Sequence, residues 1–347
     1  MTIFKKLTIL GGATVFAVAA MPGMAQNLNL HTFAGRNSAV IGPVPHLLAE
    51  RVETFTGGEV KIKVFDPGDL VPAIQYYDAV SQGSVDAAFG AAGFEVSKNS
   101  AYDFVSAIPF GPQAPEYYAW IFNGGGLELA QEFYARDNIY WYPCGNVVAE
   151  TGGWFKQPLN GVDELAGLSM RFAGLGSKVF TKLGVSTQLM GGGEIYQAIE
   201  LGTIEAAELS FPANDRSAGL PEVAKHNYFP GWHQQQAINE ILVNMTAWNG
   251  LSDGAKEAIH VSCKAAILET MAEGEATQFA ALEQHVADGV TLHTYPQDWL
   301  DTFHATWLEV VEEEKAANPD WARMWDSFSA FRARYKLWAD RAYLPRN

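Results

Sequence analysis

The sequence predicts an α/β protein of two lobes, followed by long C-terminal helices. Three observations carry that expectation. Strand-like and helix-like runs alternate from Leu28 to Gly90, the order that builds a parallel sheet with helices packed on it. A helix-then-strand unit occurs twice, as DLVPAIQYYDAVSQGSVDAAFG and as GGGEIYQAIELGTIEAAEL. The chain is also too long, at 347 residues, for one simple hydrophobic core.

The elements follow in order. LNLHTFAG is a short strand closed by glycine. GPVPHLLAERVETFTGGEV is an amphipathic helix stopped at Gly57-Gly58. VKIKVFD alternates apolar and charged residues, as a half-exposed strand does. A second helix ends near Gly83, and VDAAFG is a strand. The rhythm changes at Tyr140: IYWYPCGNVVAETGGWFK reads as strand, turn and strand, and LAGLSMRFAGLGSKVFTKLGV as strand, glycine turn and helix. From Asp253 the chain is mostly helical. Ser252 or Asp253 is a suitable cap for the first long segment, and Asn318-Pro319 breaks the second. The aromatics Trp299, Phe303, Trp307, Trp321, Trp325, Phe328, Phe331 and Trp338 recur mostly at three, four or seven residues. Such a stripe is core or subunit contact, and its surplus favours a homodimer.

The first 25 residues read as a secretory signal peptide. They carry Lys5 and Lys6, an apolar stretch from Leu7 to Met21, and small residues at Gly23 and Ala25. The stretch is short for a membrane span, and Met21-Pro22-Gly23 suits a peptidase better than a retained anchor helix. An exported chain of 322 residues is expected. Its net charge would go from −16 to −18 with the loss of the two lysines. That excess repels nucleic acid and anionic lipid, so neither is expected as a partner, and an anionic substrate would need a local cation. The two cysteines, Cys144 and Cys263, are too few for a disulfide framework. One bridge between them is open, and no close-spaced ligand makes either a metal site.

Other motifs point away from catalysis. Gly191-Gly192-Gly193 opens a helix and could cradle an anion, but it lacks the following Lys-Ser/Thr of a P-loop, so a tight turn is the simpler reading. The eight histidines show no HExxH spacing.

The stretches GGWF, SMRFAGLGSKVFTKLGV, GGGEIYQAIELGTIEAAE, YFPGWH and PFGPQAPEYYAWIFNGGGLELAQEFY resemble the DctP-type solute-binding proteins of tripartite ATP-independent periplasmic (TRAP) transporters. The resemblance spans the chain beyond the signal segment and is strongest to the branch binding 2-oxoacids and lactate. It implies a periplasmic-binding-protein clamshell with chain crossovers, no enzymatic activity, and delivery of a small carboxylate to a TRAP membrane permease driven by an ion gradient. It also implies lobe I at residues 26–147 and 237–270, lobe II at 148–236, and a C-terminal helical segment at 271–347 that packs on the lobes and on a dimer partner.

Arg171 ends the strand-like run LSMR, where α/β clefts present ligand-binding groups. Its fixed guanidinium matches a carboxylate with two parallel hydrogen bonds. The family uses an arginine here for that purpose. By the same resemblance, Glu208 and the backbone carbonyl of Leu209 coordinate a bridging cation, Ca²⁺ or Na⁺. Glu150 falls where relatives often carry glutamine, so it is a further ligand for cation or substrate. Two carboxylates favour Ca²⁺. Leu209 stands where relatives carry tryptophan. Trp232 could lid the ligand's carbon chain, with His233 or Gln234 donating to an oxygen, or the pair could be a buried tryptophan and a surface histidine. Asn146 and Phe94 fall in cleft-lining stretches, Phe94 replacing a tyrosine. The expected ligand is a small monocarboxylate, a 2-oxoacid such as pyruvate or a 2-hydroxyacid such as lactate. A bulkier aromatic or branched acid is the alternative, made room for by Leu209. A ligand-sensing role and an exported hydrolase using Glu150 and Glu208 are the remaining readings.

Overall fold

The computed structural model describes residues 26–342 and residue 344; the expected signal segment, residues 1–25, lies outside the described residues. Eleven strands occur among the described residues. In chain order they are β1 (Gln26–Thr32), β2 (Val60–Phe65), β3 (Ala87–Gly90), β4 (Ile139–Val147), β5 (Gly153–Phe155), β6 (Ser169–Arg171), β7 (Ser186–Gln188), β8 (Ala206–Ala207), β9 (His226–Phe229), β10 (Ala237–Asn244) and β11 (Thr291–Thr294). They form two sheets, β2-β1-β3-β10-β4 and β11-β9-β5-β8-β6-β7, and this two-lobed α/β arrangement is the one the sequence predicts.

The opening rhythm is parallel as expected: β1 pairs with β2 and with β3 in parallel. Both sheets are nevertheless mixed. β10 inserts antiparallel between β3 and β4, and β5 runs antiparallel to both of its neighbours. The reason is the crossings. IYWYPCGNVVAETGGWFK does supply two strands, but β4 closes the first sheet and β5 enters the second, with residues 148–152 passing between them. β10 returns along the same route, so it comes back against the strand it left. The repeated unit serves once in each sheet. Helix Tyr76–Gln82 leads to β3, parallel to β1, and helix Gly192–Glu200 leads to β8, parallel to β6. The first of these helices begins only at Tyr76, after Pro72, and ends at Gly83, whose φ of 75° suits a residue without a Cβ.

The 35-residue helix Asp253–Ala287 settles its cap in favour of Ser252, whose Oγ accepts from the Ala255 N–H at 3.1 Å. At about 1.5 Å per residue it is long enough to serve both sheets. It packs on β4 near its start and, near its end, sets His285 against Trp154 of β5. The C-terminal region is not helical throughout, for β11 lies at the edge of the second sheet, parallel to β9. The last two helices divide their contacts. Gln297–Ala317 packs on helix Gly176–Lys182, while Pro319–Ala342 packs on residues 100–105 and on helices Ala114–Asn123 and Gly126–Ala135. Most of the aromatic stripe is therefore core: Trp299, Phe303, Trp307, Trp321 and Phe328 are buried, whereas Trp338 stays 61% exposed beside exposed Leu337. Among the described residues no helix is long and apolar enough to cross a membrane.

Cys144 of β4 and Cys263 of the long helix form a disulfide, which resolves the pairing the sequence left open. The bridge closes a loop of 119 residues, so it restricts the unfolded chain strongly. Replacing both cysteines by alanine should lower unfolding stability by about 2–5 kcal/mol, measured by urea titration, and leave ligand affinity unchanged. An unchanged midpoint would contradict this.

Candidate functional site

The two crossings run side by side and fix the site. Glu150 N–H donates to the Gln234 carbonyl (3.1 Å), Gly231 N–H donates to the Glu150 carbonyl (3.1 Å), and Gly152 N–H donates to the Tyr228 carbonyl (2.6 Å). A Cβ on Gly231 would stand 2.4 Å from the Glu150 oxygen, so only glycine lets the strands approach this closely. The register holds Glu150, His233 and Gln234 beside one cavity of about 650 Å³ between the sheets.

Arg171 leaves the end of β6 into the same cavity. The residue is only 1% exposed. Nη1 donates to the Glu208 carbonyl (2.7 Å) and to Glu208 Oε2 (2.8 Å), and Nε donates to the Met190 carbonyl (3.3 Å). Glu208 Oε2 also accepts from the Ala173 N–H at 3.0 Å. Arg171 is thus not a free fork, for one arm is already matched to a carboxylate of the chain itself. Charge-assisted hydrogen bonds of this length hold the guanidinium plane in one orientation.

Glu150, Glu208 and His233 each bring one ligand-capable atom into a group within 4.8 Å of one another, all buried. His233 Nε2 lies 3.4 Å from Glu150 Oε2 and 3.9 Å from Glu208 Oε1. Burial pushes the His233 imidazole down to about 4, reinforced by the Arg171 charge, so at neutral pH it is uncharged and keeps a lone pair. Burial, with the negative charges of Glu208 and Asp215 nearby, drives the Glu150 carboxyl well above its ordinary range. Glu150 Oε2 has no hydrogen-bond partner among the described residues. Behind them Asp215, pushed up to about 8 by burial, accepts from Trp154 Nε1 at 2.7 Å.

Of the residues singled out in the sequence, Arg171, Glu150, Glu208, Leu209, Phe94, His233 and Gln234 line the cavity. Phe94 ends the short 3₁₀ turn Ala92–Phe94 and packs its ring 5.6 Å from Phe33. Leu209 lies against Gly192, where a Cβ would meet its Cδ1 at 3.2 Å. Two candidates are placed elsewhere. Trp232 is a core residue, not a lid: it packs against Phe110, Phe172, Phe180 and Phe303 and does not reach the cavity wall. Asn146 is buried beside the wall with its amide unpartnered, while its neighbour Val147 faces the cavity. His233 is buried in the acidic cluster, not on the surface. Sequence reasoning missed Asp103 and Asn239 on the cavity wall. Asp103 joins the two halves, accepting from the Leu175 N–H at 2.8 Å. Gly191-Gly192-Gly193 also reaches the wall at the start of helix Gly192–Glu200.

A cavity between two α/β sheets, lined by a buried guanidinium and buried carboxylates, has the form of a small-ligand site between two lobes. The chain belongs to the bacterial extracellular solute-binding proteins of family 7, the DctP family, whose profile matches residues 31–317. It is 35% identical over 291 residues to a monocarboxylate 2-oxoacid-binding periplasmic protein of Nostoc, covering 84% of this chain and 80% of that one. A TRAP solute-binding protein of Bordetella bronchiseptica superposes with a TM-score of 0.89 at 32% identity, covering 92% of this chain and 95% of that chain; its crystal holds a dimer with copurified calcium and picolinate in one active site and an apo site. A TRAP periplasmic protein of Pseudoalteromonas atlantica, with bound sodium and pyruvate, superposes with a TM-score of 0.87 at 27% identity, covering 92% and 97%. The family is extracytoplasmic and supplies the substrate-binding component of transport, working with a membrane permease; it is not a family of enzymes.

Proposed function

We propose that this chain captures a small monocarboxylate, a 2-oxoacid such as pyruvate or a 2-hydroxyacid such as lactate, and delivers it to a TRAP permease. The observation that carries this reading is the convergence of buried Arg171, Glu208, Glu150 and His233 on one cavity. Arg171 fixes the carboxylate, and the names of the relatives above supply the ligand class. Gln234 and Phe94 line the space left for the rest of the ligand.

The donor set fits a bound cation. Glu150 Oε2 is buried and unpartnered, the Glu208 carboxylate is adjacent, and neutral His233 turns Nε2 toward both. Glu150, Glu208 and the Leu209 carbonyl would hold the ion, with His233 within reach. A cation there supplies positive charge that offsets two crowded carboxylates and meets the acid's oxygens. Two carboxylates favour Ca²⁺ over Na⁺. Lobe I is assigned to residues 26–147 and 237–270 and lobe II to 148–236, with 271–347 packed on both and exposed Leu337 and Trp338 available to a second copy. An N-terminal signal peptide and a periplasmic location accord with the family.

A second reading, a bulkier aromatic or branched acid, is favoured by one observation: the cavity of about 650 Å³ exceeds what a three-carbon acid fills. Calorimetry on chelator-treated protein tests the first reading with pyruvate, 2-oxobutyrate and lactate, each with added Ca²⁺ or Na⁺. Binding should require a cation, be tighter with Ca²⁺, and disappear on re-chelation. Failure of all three acids under every condition would reject the reading. Mass spectrometry of copurifying ligand identifies a larger acid directly.

A further inference from the structure

The wall that the first sheet gives to the cavity carries an unsatisfied amide. Asn239 sits in β10, which belongs to the first sheet, whereas Arg171 ends β6 of the second and Glu208 directly follows β8 of that sheet. Its side chain is 1% exposed, lines the cavity, and has neither its oxygen nor its nitrogen hydrogen-bonded among the described residues. Burying an amide without partners is costly, so an unpaired one on a cavity wall points to a partner that arrives with the ligand.

Local geometry is built around this residue. The β10–β4 register shifts between Asn239 and Glu240, and such a bulge re-aims side chains. Glu240 turns into the core, where its Oε2 accepts from Trp141 and Tyr134; Asn239 turns to the cavity. Across the ladder Asn239 faces Gly145, and a Cβ there would come within 3.2 Å of Asn239 Cβ and 3.5 Å of its Oδ1. The other strand residues from Ala237 to Val243 are apolar apart from Glu240, so an apolar side chain at 239 would suit the strand equally well.

We propose that Asn239 determines specificity by binding a second, neutral polar group on the ligand, so that the substrate is a carboxylic acid with an additional hydroxyl beyond its 2-oxo or 2-hydroxy group. This deepens the proposed function and rests on it. An amide presents both a donor and an acceptor, which matches a hydroxyl and rejects its deoxy analogue, whose binding would leave the amide buried and unpaired.

The test is calorimetry with two matched pairs, pyruvate against 3-hydroxypyruvate and 2-oxobutyrate against 4-hydroxy-2-oxobutyrate, in Ca²⁺. Wild-type protein should bind the hydroxylated member of at least one pair roughly tenfold tighter. Asn239→Leu and Asn239→Ala should both reduce that preference below twofold. The alanine variant leaves the cavity open, so steric blockage by leucine is separated from loss of the amide. No preference in wild type, or a preference that survives both substitutions, overturns the proposal even where pyruvate binds. Failure of all four acids also overturns this proposal, while the monocarboxylate reading falls only if pyruvate, 2-oxobutyrate and lactate fail with either cation.

Discussion

Arg171→Lys should fold normally and lose carboxylate affinity by roughly 30- to 1,000-fold, about 2–4 kcal/mol. Lysine retains the charge, so the Glu208 carboxylate keeps a cation within reach and the buried pair is not broken outright. It cannot reproduce the planar fork that currently spans the Glu208 carbonyl, Glu208 Oε2 and the Met190 carbonyl. A flexible ammonium drawn toward Glu208 presents no fixed donors to a ligand. Arg171→Ala is the harsher variant, since it strands a carboxylate that is 3% exposed with the Ala173 N–H as its remaining partner. It should destabilise the fold by about 3–5 kcal/mol in addition to abolishing binding. Calorimetry and thermal unfolding of both variants separate the two effects. A lysine variant whose dissociation constant for pyruvate stays within threefold of wild type would remove Arg171 from the binding machinery.

The legible and illegible parts of this molecule divide along physical lines. The opening β1-helix-β2-helix-β3 run could be read because strand and helix periodicities differ, 2.0 against 3.6, and each element is decided locally. The insertion of β10 between β3 and β4 could not, because antiparallel return depends on a crossing made about ninety residues earlier. Arg171 stood out by residue type at a strand end. Its engagement with Glu208 did not, since that contact joins positions 37 apart in sequence. His233 entered the carboxylate cluster only because Gly231 lets the two crossings lie against each other, and no periodicity encodes that approach. Trp232 went the other way, drawn into the aromatic core by Phe303 from a helix far along the chain. Asn239 and Glu240 left a signal that was available: two polar residues interrupt the apolar run AINEILVN, a pattern that marks a bulge or a site.

Glu240 itself should make the fold lose stability as pH rises. Its carboxyl is fully buried, which pushes it up to about 8 against the partial opposition of the Trp141 and Tyr134 donors at 2.5 and 3.0 Å. Unfolded, the group titrates near 4.5. Between those values the folded state retains a proton that the unfolded state has released. The stabilising contribution is therefore complete below about pH 4.5 and is lost as pH climbs through about 8. At about 1.4 kcal/mol per pH unit the single group accounts for at most about 5 kcal/mol over that span. Asp215, raised to about 8, and Asp103 and Glu95, each raised to about 7, act in the same direction. Glu240→Gln retains an acceptor for Trp141 and Tyr134 but has no proton to lose. Urea unfolding of wild type from pH 5 to 8.5 should show stability declining, and the variant should decline less steeply. Parallel curves for the two proteins would show that Glu240 stays ionised when folded, with water admitted to a pocket the structure keeps closed.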